Sequence, residues 1–551
     1  MIARTLKLAV AAFCCFFLTC VILIAQDTLP KDAASDPVLR AMVAEMERSK
    51  TQLKLEGVSA PYYIDYRVMD MDRYASEAAW GAARIDLHNR MRYVRVVVRI
   101  GDYKQDSFYQ GGQGLVELLG IDDDEFAIRH ELWLATDQAY KAAAEALTAK
   151  NAALKQLTIE YPVDDFAHAD PVRLVEPLAR LDPESSSWAK VVQEVSGFYR
   201  KDPQLESSEA NLSFEATNRY FVNSEGTVVR TGRSMYSLSA EASTQAADGM
   251  SLERSSAFVE GSFKDLPTPE KFKQHAEGMI ATLRQLREAP VVEEEYRGPV
   301  LFDADAATHV VADLIGENVL GRKPALGQPA RTRGAFAASF QSKVLPDFLS
   351  VQDDPTLSTW QSKPLLGHYE VDDDGVKAMK VSLVDKGKLI AYDLSREPIR
   401  DFPLSNGHGR AQYPMTPPGA SLGNLILQSS DPLSDDAMKA KLLDLCKQHD
   451  LAFCYRVKTT GPRNAPRLLY KVFTKDGHEE LVRGAVFGDL DTRSMRNDIV
   501  AAGDKAEIEN RPTSIPHSIV SPALLFDELE VKRVDQNKEK LPEYPAPELG
   551  K

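Results

Sequence analysis

The segment APVVEEEYRGP, Ala289 to Pro299, with its prolines and three consecutive acids, divides the chain into halves of different texture. Before it, β-branched and aromatic runs are interleaved with long capped helices. After it, short strands and turns dominate. A chain of 551 residues exceeds what one hydrophobic core can organise. An α+β protein of two domains is therefore expected, with an N-terminal strand-and-helix domain over 36–290 and a β-rich C-terminal domain over 291–531.

In the first half, SDPVLRAMVAEMERSKTQLKL has the start signals of a helix: Ser35 or Asp36 to cap it and Pro37 at its first position. PYYIDYRVMD and RMRYVRVVVRIGDY read as strands, and Arg92, Arg95 and Arg99 on the second read as a solvated strand face. A long helix is expected from about Asp124, strands and turns from Glu209 to Ser262, and a helix capped by Thr268 with Pro269 at its first position. QGGQG, Gln110 to Gly114, reads as a flexible loop, and the acid triplets 122–124 and 372–374 as acidic turns.

The ends are read separately. MIARTLK followed by the apolar run Leu8–Ala25 suits a secretory signal over 1–25, cleaved after Ala25, and hence an exported, periplasmic or envelope-associated protein. The run is also long enough to remain as an anchor. Residues 26–35 read as a linker and 532–551 as a loose polar tail. Three of the five cysteines lie in the signal segment. The other two, Cys446 and Cys454, either pair across a helix-to-strand turn or stay as two buried thiols. The net charge of −15 opposes binding to phosphate backbones, so nucleic acid is not an expected partner.

No local pattern announces a catalytic site. The ten histidines include no two spaced three to five residues apart, so nothing local makes a zinc site. SNGHGRAQYP places Gly407 and Gly409 around His408, letting backbone approach a ligand that Arg410 could hold. On the residues alone, a tight turn with an exposed histidine ranks ahead of that. Thr308 to Gly321 reads as one helix with Asp313 and Glu317 facing the same way, and His309 on the same face.

Taken in order, several segments resemble the TldD/PmbA family, whose members include metallopeptidases. YRGPVLFDADAATHVVADLIGENVLG resembles the strand and helix that open the family's C-terminal domain. LSVQDDPTL and YEVDDDGVKAMKVSLVDKGKLIAYDLSRE resemble its D-D-P segment and the D-x-E-G turn with two strands. LSNGHGRAQYP resembles its T-G-x-G-R segment, and LVRGAVFG and IENRPTSIPHSIVSPALLFDELEV its closing strands.

In the peptidase branch an H-E-x-x-x-H motif and a late cysteine hold zinc. Here the motif falls on Ala312, Asp313, Leu314, Ile315, Gly316 and Glu317, and the cysteine's segment is IENRPTS. The resemblance thus implies the PmbA-like branch, without zinc or other cofactor and not catalytic alone. It implies a partner or peptide-binding subunit for extended or unfolded peptide, as a homodimer or a heterodimer with a metal-bearing TldD-like relative, in which Gly407, His408, Gly409 and Arg410 touch substrate. Two alternatives stand beside it. One is an active metallopeptidase holding a divalent metal ion through a rearranged set, His309, Asp313, Glu317 and His408; the other is an envelope-anchored interaction protein.

Overall fold

The computed structural model describes residues 31–198, 202–293 and 295–534, with Tyr544. The signal segment with its cleavage point at Ala25, the first part of the linker, and nearly all of the tail lie outside the described residues. Part of the linker is described. Lys31–Ala34 is a short helix, and its Ala33 carbonyl accepts from the N–H of Asp36.

In the N-terminal half, α1 (Pro37–Gln52) begins where its signals put it, the Asp36 carboxylate accepting from the Leu39 N–H. Strands β1 (Tyr63–Ala79), β2 (Ala82–Arg99) and β3 (Leu115–Leu119) precede α2 (Glu125–Leu154), which Asp124 caps. Strands β4 (Leu205–Asn223), β5 (Val228–Gln245) and β6 (Ser251–Glu260) lead into α3 (Pro269–Glu288), capped by Thr268. The sheet runs β3-β2-β1-β4-β5, with β6 antiparallel on the outer side of β5. Period-two alternation sends Val94, Val96 and Val98 against Leu39, Met42, Leu132 and Ala139 of α1 and α2. A second cluster joins Phe214 and Leu238 to Phe272 and Leu283 of α3.

The expected solvated arginine face is a correction. Arg92 is 1% exposed and Arg99 is 5% exposed. Arg92 donates to Asp70 at 2.6 Å and to Asp123 at 2.8 Å. Arg99 donates to Asp106 at 2.7 Å and lies between the rings of Phe108 and Phe166, 3.9 Å from each centroid. Arg95 donates to the Met415 carbonyl at 2.9 Å. Arg92 lies on the face of Val94, Val96 and Val98, whereas loops, some from the other half of the chain, cover the face of Arg95 and Arg99. All three guanidiniums are hydrogen-bonded within the protein rather than hydrated. Within QGGQG only Gly112 is buried, and Gln110, Gly111 and Gln113 are exposed. A Cβ at Gly112 would stand 2.6 Å from that of Ala146 on α2, and Gln110–Gln113 form a 3-10 turn.

The C-terminal half contains β7 (Tyr296–Phe302), α4 (Ala304–Leu314), β8 (Leu349–Asp353), β9 (Val381–Asp385), β10 (Asn424–Ser429), α5 (Asp435–Gln448), β11 (Phe453–Thr460), β12 (Pro466–Phe473), β13 (Ile499–Arg511) and β14 (His517–Arg533). Its sheet runs β9-β8-β10-β14-β7-β11-β12, and β13 pairs with β14. α4 buries Val310, Val311 and Ala306 in a core shared with Phe302, Leu524 and Phe526. The fold is thus α+β in two parts, as expected. No helix of the described residues is long and apolar enough to cross a membrane.

Cys446 at the end of α5 and Cys454 on β11 form a disulfide across the turn, with Cα atoms 5.9 Å apart. Nearby, Glu479 accepts from Lys439 at 3.1 Å and from Arg456 at 2.9 Å, and pairs with Lys458 at 3.1 Å. Burial works to raise the Glu479 pKa, but these hydrogen bonds and charges win and bring it down to about 2. A depressed carboxylate stabilises above its unfolded pKa, and that contribution is lost as pH falls through the window from about 4.5 to about 2. After solvent screening, Glu479→Gln is expected to cost about 1 kcal/mol at neutral pH. The difference from the unsubstituted chain should shrink as urea midpoints are measured at lower pH within that window.

Candidate functional site

α4 is shorter than the sequence pattern suggests. Its last residue is Leu314; Gly316–Asn318 form a 3-10 turn, and Leu320–Gly321 pair in parallel with the short strand Asp393–Leu394. The Asn318 side chain donates to the Leu314 carbonyl at 2.9 Å, satisfying one of the free carbonyls at the helix end. Asp313 and Glu317 therefore do not share one helical face, which corrects the expectation of a continuous helix. Glu317 is exposed and pairs with Arg322 at 3.1 Å. Ala312 is buried in the core.

Long-range folding brings the polar side of α4 against the end of β13, the segment IENR. His309 Nε2 lies 3.4 Å from Glu509, and Arg511 Nη2 lies 3.3 Å from His309 Nδ1. Arg511 pairs with Glu509 at 3.0 Å, and its Nη1 is 3.8 Å from Asp313. Burial raises the Asp313 pKa, against the pull of Arg511 and His309. The polar side of α4 and the segment IENR are thus juxtaposed. What joins them is an ion-pair network around a guanidinium. A permanent cation repels a metal ion and takes up the carboxylates that would neutralise one. These residues do not fit a zinc site, and the set His309, Asp313, Glu317 and His408 does not converge.

Among the described residues a different triad gathers: Asp353, Asp393 and His408, with one potential ligand atom from each lying within 4.8 Å of the others. Asp353 ends β8, and its oxygens accept from the N–H groups of Gly423 at 2.9 Å and Asn424 at 2.7 Å. Asp393 sits on the short strand beside Leu320. His408 Nδ1 lies 3.0 Å from the Asn406 carbonyl, which fixes the ring so that Nε2 is 3.5 Å from both Asp353 and Asp393. All three side chains are 0% exposed. Burial pushes the Asp393 carboxyl well above the usual range, with the Asp353 charge adding to the rise and His408 opposing it. Burial lowers His408, but Asp393 and Asp353 outweigh it and raise the imidazole to about 9.

The same loops lock onto the N-terminal sheet. Asp372, Asp373 and Asp374 lie in the expected acidic turn, which is buried. Asp373 accepts from Arg410 at 3.3 Å and Arg219 at 3.3 Å, and the Arg410 guanidinium stacks 4.2 Å from the Tyr369 ring centroid. Asp372 accepts from the Gly409 N–H at 2.8 Å. Gly407, His408, Gly409 and Arg410 are therefore all buried. The exposed histidine was a misreading, and a peptide in an open cleft would not reach these four residues. Asp353 and Asp393 were missed as site residues, because no spacing relates positions so distant along the chain.

Residues 295–449 match the family of the PmbA/TldA metallopeptidase C-terminal domain. No curated protein is significantly similar in sequence. Solved structures share the fold. A putative modulator of a DNA gyrase from Thermotoga maritima is 14% identical with a TM-score of 0.59, covering 89% of this chain and 100% of its own. TldE from Thermococcus kodakarensis is 12% identical with a TM-score of 0.57, covering 89% and 99%. A putative modulator of DNA gyrase from Bacteroides thetaiotaomicron is 15% identical with a TM-score of 0.58, covering 90% and 98%.

Proposed function

We propose that this chain, a member of the TldD/PmbA family through its C-terminal domain, is a peptide-binding partner subunit of exported peptide processing that lacks the family's catalytic zinc and is not a peptidase on its own. The observation that carries this reading is Arg511, placed between His309, Glu509 and Asp313 where the family's metal chemistry would need anionic and neutral donors alone. A catalytic zinc also keeps one position open to water and substrate. The triad Asp353, Asp393 and His408 is fully enclosed and offers substrate no path.

The binding half of the reading rests on β6. Among the described residues this ten-residue strand pairs only with β5, leaving its outer edge of backbone N–H and C=O groups free. Arg254 on β6 donates to Thr459 of β11 at 3.1 Å, so that strand lies against the C-terminal half. A free edge suits addition of an extended peptide as a further strand. Association with a second copy or a metal-bearing relative belongs to the same reading. The Cys446–Cys454 disulfide supports the exported setting.

Hydrogen exchange with and without an unstructured peptide tests it. Added peptide is expected to protect amides of residues 251–260 and to be recovered intact. Binding that leaves this strand unprotected, or recovery of cleaved peptide, would overturn the reading.

A further inference from the structure

The triad of Asp353, Asp393 and His408 is left without a role by the peptide-binding reading, and its chemistry is incomplete as it stands. Neither oxygen of Asp393 has a hydrogen-bond partner, nor does His408 Nε2, though all are fully buried. Buried polar atoms are nearly always satisfied, and a buried carboxylate with no donor is among the costliest exceptions. The two 3.5 Å separations are too long for good hydrogen bonds, whose N–H···O distances run to about 3.2 Å. They do match another spacing. Ligand atoms about 2.1 Å from a tetrahedral ion stand about 3.4 Å from one another.

We propose that Asp353, Asp393 and His408 hold one divalent transition-metal ion of the zinc class as a structural cross-link between the end of β8, the strand Asp393–Leu394 and the loop of His408. The surroundings are those of a metal site rather than of an ion triad alone. The Asn406 carbonyl accepts a hydrogen bond from Nδ1–H, so that a metal ion displacing the Nε2 proton would meet its lone pair pointing inward. The N–H groups of Gly423 and Asn424 orient the Asp353 carboxylate from behind. Two carboxylates and one imidazole favour Zn2+, Mn2+ or Fe2+ over soft monovalent ions. A water or a second carboxylate oxygen completes the coordination. Full enclosure makes this a structural ion, so the proposal stands independently of whether the chain cleaves peptides.

The test is metal stoichiometry on the chelator-stripped full chain titrated with Zn2+ alone, together with the visible spectrum on Co2+ substitution. One equivalent of Zn2+ per chain should survive gel filtration. Co2+ should give the visible bands of a nitrogen-and-oxygen site without thiolate charge transfer. Asp313→Asn should keep the metal, whereas Asp393→Asn and His408→Gln should each weaken binding at least tenfold. If neither variant folds, the stoichiometry and Co2+ spectrum of the unsubstituted chain decide. No bound metal in that chain, or metal retained by both triad variants, would overturn the proposal, leaving a protonated His408 between two carboxylates. Metal lost only in Asp313→Asn would overturn it and the reading without a catalytic zinc together.

Discussion

Replacing Arg396 with alanine should destabilise the chain by about 3–5 kcal/mol, read as a shift in urea midpoint at constant slope. Arg396 is 0% exposed. Its two terminal nitrogens donate to Glu225 at 2.8 Å each, and its Nε donates to the Ala167 carbonyl at 2.8 Å. The guanidinium also stacks 4.0 Å from the centroid of Phe166. It comes from the C-terminal half, whereas Glu225, Ala167 and Phe166 belong to the N-terminal half. The substitution therefore leaves a buried carboxylate uncompensated at the seam between them. The penalty lies mainly in that orphaned charge. The double variant Arg396→Met with Glu225→Gln should lose markedly less than Arg396→Ala alone. A loss below about 1 kcal/mol in the single variant would show that water compensates Glu225 and that the seam is not sealed.

Gly407→Ala is the second large effect. Gly407 has φ +77°, and a Cβ there would stand 2.2 Å from the Lys377 carbonyl oxygen and 3.0 Å from the Ala378 Cα. Both obstacles are backbone and cannot rotate away. Left-handed strain and the forced backbone shift together should cost about 2–5 kcal/mol. The shift also carries His408 away from Asp353 and Asp393, so thermal unfolding and metal stoichiometry should change together. Gly278→Ala is the matched control. That glycine lies inside α3 with nothing within 4 Å of the new Cβ, and the substitution should stabilise by about 0.5–1 kcal/mol. If Gly407→Ala were as mild, the loop holding His408 would be adaptable.

What could be read from the residues follows from how local its cause is. The starts of α1, α2 and α3 are set by Asp36, Asp124 and Thr268 bonding to an N–H three residues on, and such signals lie within one turn of sequence. The outer half of β1, through Arg73–Ala79, has weak strand character. It is extended because β2 and β4 pair with it on both sides, a tertiary cause that no window shows. Arg92 and Arg99 looked solvated because Asp70, Asp123 and Asp106 are scattered along the chain. His408 looked exposed for the same reason: its glycine neighbours were visible, but Asp353 and Asp393 were not. The resemblance to the TldD/PmbA family drew attention to α4 and the segment IENR. That Arg511 would join them through His309 and Asp313 depends on the packing of β13 against α4.

Under the proposed reading, ion pairs around Arg511 occupy the polar side of α4 in place of a catalytic metal. Its most direct test is hydrolysis of an unstructured protein by the purified full chain, followed by mass spectrometry with Zn2+ added and with chelator added. The account predicts no cleavage above the buffer control in either arm. Cleavage that the chelator abolishes and that Asp313→Asn removes would contradict it.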